Sequence, residues 1–302
     1  MSGDTASTFE WSWNGKAVQT GYDDRGTGPA VVLLPSFSTV STRDEMRPLA
    51  GLLAPDFRTV VPDWPGFGRG RHLRLDHGPD LHLAFLRAFM DRVVAGPAMV
   101  VAAGHAAGYA LLLARERPGT FSRIALVAPT WRGPLPTMMG GYKAVQGRVR
   151  AALDLPGIGH ALYRLNVAAP VLATMYRRHV YADAARVTRG FIAEKAKVAR
   201  RHGGRFGSAA FVTGALDPVR DQAAFLGLAV PPSTPILLVY GPGTPPKSRA
   251  GMEALALLPG IASRRLATGS LGVHEECAGA VAEVIRPFLL GGNQAGPASS
   301  GS

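Results

Sequence analysis

Residues 98–117 read AMVVAAGHAAGYALLLARER. The first six are apolar without interruption, then comes Gly104-His105-Ala106-Ala107-Gly108, and apolar residues recur at three- and four-residue intervals as far as Arg117. A short unbroken apolar run is the pattern of a strand buried on both faces, and the spacing after it is helical. The stretch therefore predicts strand, tight turn and helix. Further strands are expected at Ala30–Leu34, Arg58–Pro62, Ala98–Ala103, Arg123–Ala128, Pro235–Tyr240 and Ser263–Ala267. Helical spacing covers Asp44–Leu53, Asp80–Val94, Ala107–Arg117, Ser248–Leu258 and Glu275–Leu289. Strand followed by helix, repeated, predicts an α/β protein with a mostly parallel twisted sheet flanked by helices.

Two regions break the alternation. Phe9 to Tyr22 alternates aromatic and polar residues around Asn14-Gly15, a hairpin signal, so an antiparallel pair is expected to open the fold. From Trp131 to about Pro232, methionines, tyrosines and basic residues fall on helical periods between scattered prolines. This segment reads as an inserted helical cap. The expected organisation is a core of residues 9–130 and 233–290, a cap of residues 131–232, and small, polar, mobile tails at 1–8 and 291–302.

Of 302 residues, 47% are hydrophobic, enough for a large core, and the formal charge is +12. Between Arg132 and Arg205 stand 14 basic and 3 acidic residues, so the cap carries nearly all the excess. Such a patch attracts anionic lipid or an acidic protein, and it is equally the solvated surface of a lid. No nucleic-acid motif accompanies the charge, and no nucleic-acid partner is expected. The single cysteine, Cys277, cannot form an internal disulfide, and no apolar run approaches the roughly 20 residues that cross a bilayer. A cytoplasmic protein is expected, with the basic cap as a route to peripheral membrane attachment.

The 98–117 stretch, Asp63-Trp64-Pro65-Gly66-Phe67-Gly68 after an earlier strand, and Gly272-Val273-His274-Glu275 before the last helix occur in an order that resembles the α/β-hydrolase fold family over residues 9 to 290. The resemblance implies that Gly104–Gly108 is a nucleophile elbow, with Ala106 at the nucleophile position. A methyl group cannot attack a carbonyl, and loss of the nucleophile from a serine protease triad costs about a millionfold in turnover. His274 falls at the family's histidine and is the general-base candidate, or a relic bonded to its loop. Thr244 occupies the position of the acid and carries no charge. Asp217 or Glu275 is the possible substitute.

Backbone amides of Phe37 and Ala107 are implied as oxyanion donors, with Pro35-Ser36 in place of the family's His-Gly. Ser36, Ser38 and His105 near this loop are weaker nucleophile candidates. In the cap, Leu153, Ile158, Leu162, Val167, Val171, Leu172, Met175 and Tyr176 suggest an apolar inner face, and Arg177, Arg178, Arg200 and Arg201 an anion-binding patch. Buried helix packing explains the apolar set equally well. Metal-ligand spacing, a phosphate loop and a dinucleotide fingerprint are missing from the sequence, so no metal and no cofactor is expected.

A pseudo-hydrolase, binding a small apolar carbonyl compound or serving as an accessory protein, accounts for every departure from the family pattern. An active ester or amide hydrolase carrying one serine-to-alanine change accounts for one. A lyase, isomerase or cofactor-free oxygenase using His274 as base requires an acid beside that histidine.

Overall fold

The computed structural model describes residues 5–68, 70, 72–230 and 234–292. Eight strands form one sheet: β1 (Thr5–Trp13), β2 (Lys16–Arg25), β3 (Ala30–Leu34), β4 (Arg58–Pro62), β5 (Ala98–Ala103), β6 (Phe121–Val127), β7 (Ile236–Tyr240) and β8 (Ile261–Arg265). Their spatial order is β1-β2-β4-β3-β5-β6-β7-β8. The β1–β2 and β2–β4 pairs are antiparallel and all later neighbours are parallel.

At the centre, Val32 pairs with Val100 and Val101 with Ala125. Every residue of β5 is buried. Helices cover both faces of such a sheet, so no polar alternation is needed along its strands. At the opening hairpin Asn14 and Gly15 have φ of 47° and 73°, the turn whose twist matches its strands.

The helices are α1 (Arg47–Leu53), α2 (Pro79–Phe89), α3 (Ala106–Glu116), α4 (Pro134–Met138), α5 (Ala144–Asp154), α6 (Ile158–Asn166), α7 (Ala169–Met175), α8 (Arg189–Ala199), α9 (Gly204–Val212), α10 (Gln222–Gly227), α11 (Pro246–Ala256), α12 (Val273–Glu276) and α13 (Ala278–Leu289). Helices α4 to α10 form the insertion between β6 and β7.

Several sequence expectations shift. The sheet begins at Thr5, because residues 5–8 pair with Tyr22 to Asp24 and Gly21, so they are not tail. Residues 1–4 and 293–302 of the expected tails lie outside the described residues, as does the expected cap boundary at 232–233. β8 lies two residues earlier than Ser263–Ala267; it is a partly exposed edge strand whose composition, IASRR, offers no apolar pattern to place it. The helix expected over Asp44–Leu53 starts as a 3₁₀ turn at Arg43–Met46 before α1. Pro48 explains the break, since it has no N–H for an i−4 bond and its ring crowds the carbonyl there.

The cap's apolar residues divide. Val167, Leu172 and Tyr176 are buried with Tyr163 and Ile192 in a cluster of their own, against which Leu153 and Met175 pack. Ile158, Leu162 and Val171 do not join it; they are 63%, 45% and 45% exposed.

Leu33 lies fully buried in β3. Leu33→Ala is expected to cost about 2–5 kcal/mol, because the lost transfer energy is joined by a cavity. Leu257→Ala, at an 85% exposed position, should stay within about 0.5 kcal/mol. Urea-unfolding midpoints of the two variants check the contrast.

Candidate active site

The turn between β5 and α3 is sharp, and its left-handed residue is Gly104, with φ of 52°. A strained strand-to-helix turn is where a nucleophile elbow displays its reactive side chain. The apex is therefore Gly104, and the assignment of that position to Ala106 is corrected by two residues. Ala106 is the first residue of α3 and fully buried. The reason is a repeated spacing. Ala102-Ala103-Gly104-His105-Ala106 and Gly104-His105-Ala106-Ala107-Gly108 both have small residues two positions either side of a centre, and only the backbone distinguishes them. A Cβ at Gly104 would lie 2.9 Å from Cβ of Ser36. Gly108 serves close packing instead, since a Cβ there would approach Cγ of Pro218 to 2.8 Å.

The Ala107 amide, expected as an oxyanion donor, instead donates to the Gly104 carbonyl at 3.3 Å, closing the turn. The ring of Phe37, the other expected donor, sits in an aromatic cluster. It stacks on Trp64 at 4.6 Å between centroids and meets Phe67, Tyr109, His82 and His105 within 6 Å. Self-packing thus occupies the space beside the elbow.

His274 opens α12 from the loop after β8 and is buried. Its carboxylate neighbour is Glu45, on the 3₁₀ turn before α1, with Oε1 at 3.3 Å from Nε2. The same Oε1 accepts the Ser36 amide at 2.6 Å. Glu45 is 4% exposed. Burial alone would raise its pKa; the neighbouring His274 imidazole, the charge of Lys195 and the Ser36 amide outweigh burial and hold it below the ordinary value.

In a serine triad, Nε2 faces the nucleophile and Nδ1 faces the orienting acid. Here Nε2 lies 3.3 Å from a carboxylate oxygen, and neither ring nitrogen makes a hydrogen bond of good geometry among the described residues. A carboxylate also takes the amide of the loop beside Phe37, where an oxyanion would need donors.

Both proposed substitute acids are engaged elsewhere, which corrects that expectation. Asp217 Oδ1 lies 3.2 Å from Nε2 of His105. Its carboxylate also accepts the Gly133 amide at 3.0 Å and the Tyr142 hydroxyl at 2.5 Å. Burial raises the Asp217 pKa and lowers that of His105. His105 is thus a buried second histidine, also 3.3 Å from the Leu216 carbonyl.

Glu275 pairs with Lys195 of α8 at 2.7 Å. Burial would lower the Lys195 pKa, but Tyr176, Glu275 and Glu45 together raise it. Thr244 is buried and bonds to the Gly241 carbonyl at 2.9 Å, closing its own turn.

The minor candidates have local roles. Ser36 accepts from the Ser41 hydroxyl through its carbonyl, and Ser38 Oγ accepts the Val40 amide at 3.2 Å. Arg177 and Arg201 donate to the Val187 and Gly68 carbonyls, whereas Arg178 and Arg200 are exposed. No group of three or more histidine, cysteine or acidic side chains suited to a metal is present among the described residues. Glu45 was missed by sequence reading. Thr42-Arg43-Asp44-Glu45 fits a helix-capping box, yet its glutamate turns inward.

A mostly parallel sheet, a left-handed bend between β5 and α3, a histidine after β8 and a helical insertion after β6 define the class of hydrolase-type α/β proteins. The chain belongs to the alpha/beta hydrolase family, whose family model matches residues 31–284. Comparison with curated protein sequences finds no match. Among solved structures the chain is similar to a thermophilic esterase from Thermogutta terrifontis, with TM-score 0.68 and 18% identity over 94% of this chain and 98% of that one. It is similar to the Cif epoxide hydrolase from Acinetobacter nosocomialis, with TM-score 0.71 and 17% identity over 94% and 88%. A haloalkane dehalogenase loop variant from Bradyrhizobium elkanii gives TM-score 0.69 and 18% identity over 95% and 97%. At these identities the likeness is one of fold.

Glu45→Ala removes the buried acceptor of the Ser36 amide and should destabilise the fold by about 1–3 kcal/mol. Glu45→Gln keeps an acceptor for Ser36 and should cost less. Since the folded-state pKa of Glu45 is depressed, its contribution is present above the ordinary glutamate value of about 4.3 and is lost as pH falls through the folded value. Urea midpoints between pH 3 and 7 should therefore converge for wild type and Glu45→Gln at the acid end. Parallel curves would refute the pairing.

Proposed function

We propose that this member of the alpha/beta hydrolase family has given up acyl-transfer chemistry and acts as a binding or accessory protein. The observation that carries this reading is Glu45, whose Oε1 joins the Ser36 amide to the His274 imidazole beside an apex that is glycine. Gly104 supplies no side chain to attack a carbonyl, and the imidazole nitrogen that would receive a nucleophile's proton is turned to a carboxylate. A small apolar carbonyl compound, the ligand class to which the family resemblance points, would reach the loop amide only by displacing Glu45.

A second reading is favoured by the same pair. A carboxylate beside His274 stabilises an imidazolium, as proton transfer in a lyase or isomerase requires. Exchange of ketone α-protons in D2O, followed by NMR and lost in His274→Ala, would decide for it.

On the main reading, purified protein hydrolyses p-nitrophenyl acetate no faster than its His274→Ala variant and forms no adduct with a fluorophosphonate probe. Ester turnover that depends on His274, or a covalent adduct on a serine detected by mass spectrometry, would overturn it.

A further inference from the structure

Of the eleven large apolar side chains exposed among the described residues, seven lie between Met138 and Val171. They are not scattered. On α6, Ile158, Leu162 and Leu165 are 63%, 45% and 69% exposed and stand at spacings of four and three, on one face of the helix. Leu155, just before α6, is 49% exposed, and Val171 on α7 is 45% exposed. The same helix buries Gly159 and Tyr163, so α6 is anchored through another side and presents its leucine-rich side to solvent. An amphipathic helix in a soluble monomer ordinarily does the reverse.

The stretch of chain that carries this crest is basic. Residues 143–178 contain Lys143, Arg148, Arg150, Arg164, Arg177 and Arg178 against a single acid, Asp154. Arg148 on α5 precedes Leu155 by two helical turns, and α5 packs on α6. Arg164 is exposed within α6 itself.

We propose that α6 and the turns at its ends dock this protein, in plane, on an anionic lipid bilayer, with Ile158, Leu162 and Leu165 entering the acyl boundary and the surrounding arginines meeting lipid phosphates. Apolar side chains flanked by Lys and Arg bind such an interface through buried area and charge together. Charge complementarity selects the bilayer over a second copy of the chain, because self-association through this crest would press two basic rims together. The attachment is superficial, since no described helix is long and apolar enough to cross a membrane. It does not depend on the state of the elbow.

The test is co-sedimentation of the full chain with phosphatidylcholine vesicles, with and without 30 mol% phosphatidylglycerol, at low and high salt. Wild type is expected to bind the anionic vesicles at least tenfold more tightly than the neutral ones, and more weakly at high salt. The doubly substituted Ile158→Ser/Leu165→Ser protein and, separately, Arg148→Ser/Arg164→Ser should each lose at least tenfold. The substituted positions are exposed, and Leu162→Trp gives an independent readout: a blue-shifted emission on adding anionic vesicles. Absence of binding, equal binding by Ile158→Ser/Leu165→Ser, or an unshifted Leu162→Trp emission would overturn the proposal. So would sedimentation as a dimer that Ile158→Ser/Leu165→Ser dissociates, without vesicle binding.

Discussion

The left-handed backbone at Gly104 is the constraint on which the site is built. Its amide donates to the Val127 carbonyl, and its carbonyl accepts from Ala107 and Thr130, so one residue ties β5 to the start of α3 and to the end of β6. Ser36 closes over it from the β3 side, so near that a Cβ on Gly104 would come closer than van der Waals contact allows. An L-residue with a side chain would carry the strain of positive φ and also meet Ser36. The carboxyl ends of three parallel strands thus converge on a point with no side chain, in the crevice where open α/β sheets ordinarily place their ligands.

With no side chain at the apex, charge arrangement becomes the chief property of the site. Two histidines flank the bend, and each has a carboxylate: His274 with Glu45, His105 with Asp217. The two pairs are solved differently. The pKa of Glu45 is held below its ordinary value, against burial, by His274, Lys195 and the Ser36 amide, whereas burial prevails at Asp217 and His105, favouring their neutral forms. Titratable groups pushed apart in this way often mark functional sites, and structural ion pairs do the same. What favours the structural reading is enclosure, since all four side chains are buried.

The sheet was legible because its signal is local. β3 and β5 have the bounds that unbroken apolar runs assign them, and β4, RTVVP, has its expected bounds around a buried Val-Val pair; a strand buried on both faces leaves no other pattern to write. β8 was misplaced for the opposite reason, having no apolar run to read. The helix starts were legible only to the nearest turn, because Pro48 divides one element by sterics that apolar periodicity ignores. The site was less legible still. Two overlapping small-residue spacings compete for the apex, and φ alone settles them. Glu45 was hidden by a local pattern: four residues that match a helix cap gave no reason to expect the glutamate beside a histidine 229 positions later. Long-range pairing of this kind is a property of the fold, not of any window of sequence.

The cap shows a second way in which local pattern and fold part company. Amphipathic spacing in α6 is correctly read as a helix, and the usual inference is that its apolar side faces the core. Yet the cap cluster is closed by Tyr163, Val167, Leu172, Tyr176 and Ile192 without Ile158, Leu162 or Leu165. Tyr163 explains how. Its ring is buried and its hydroxyl donates to the Ala199 carbonyl at 3.0 Å, at the end of α8, so one aromatic residue fixes the rotation of α6. With Tyr163 inward, the residues one position before and two after it cannot also point inward on a helix of 3.6 residues per turn. The rotation that satisfies a buried hydroxyl is therefore the same rotation that leaves the leucines in water. A helix held that way has apolar surface to cover, in a segment whose charges are nearly all basic.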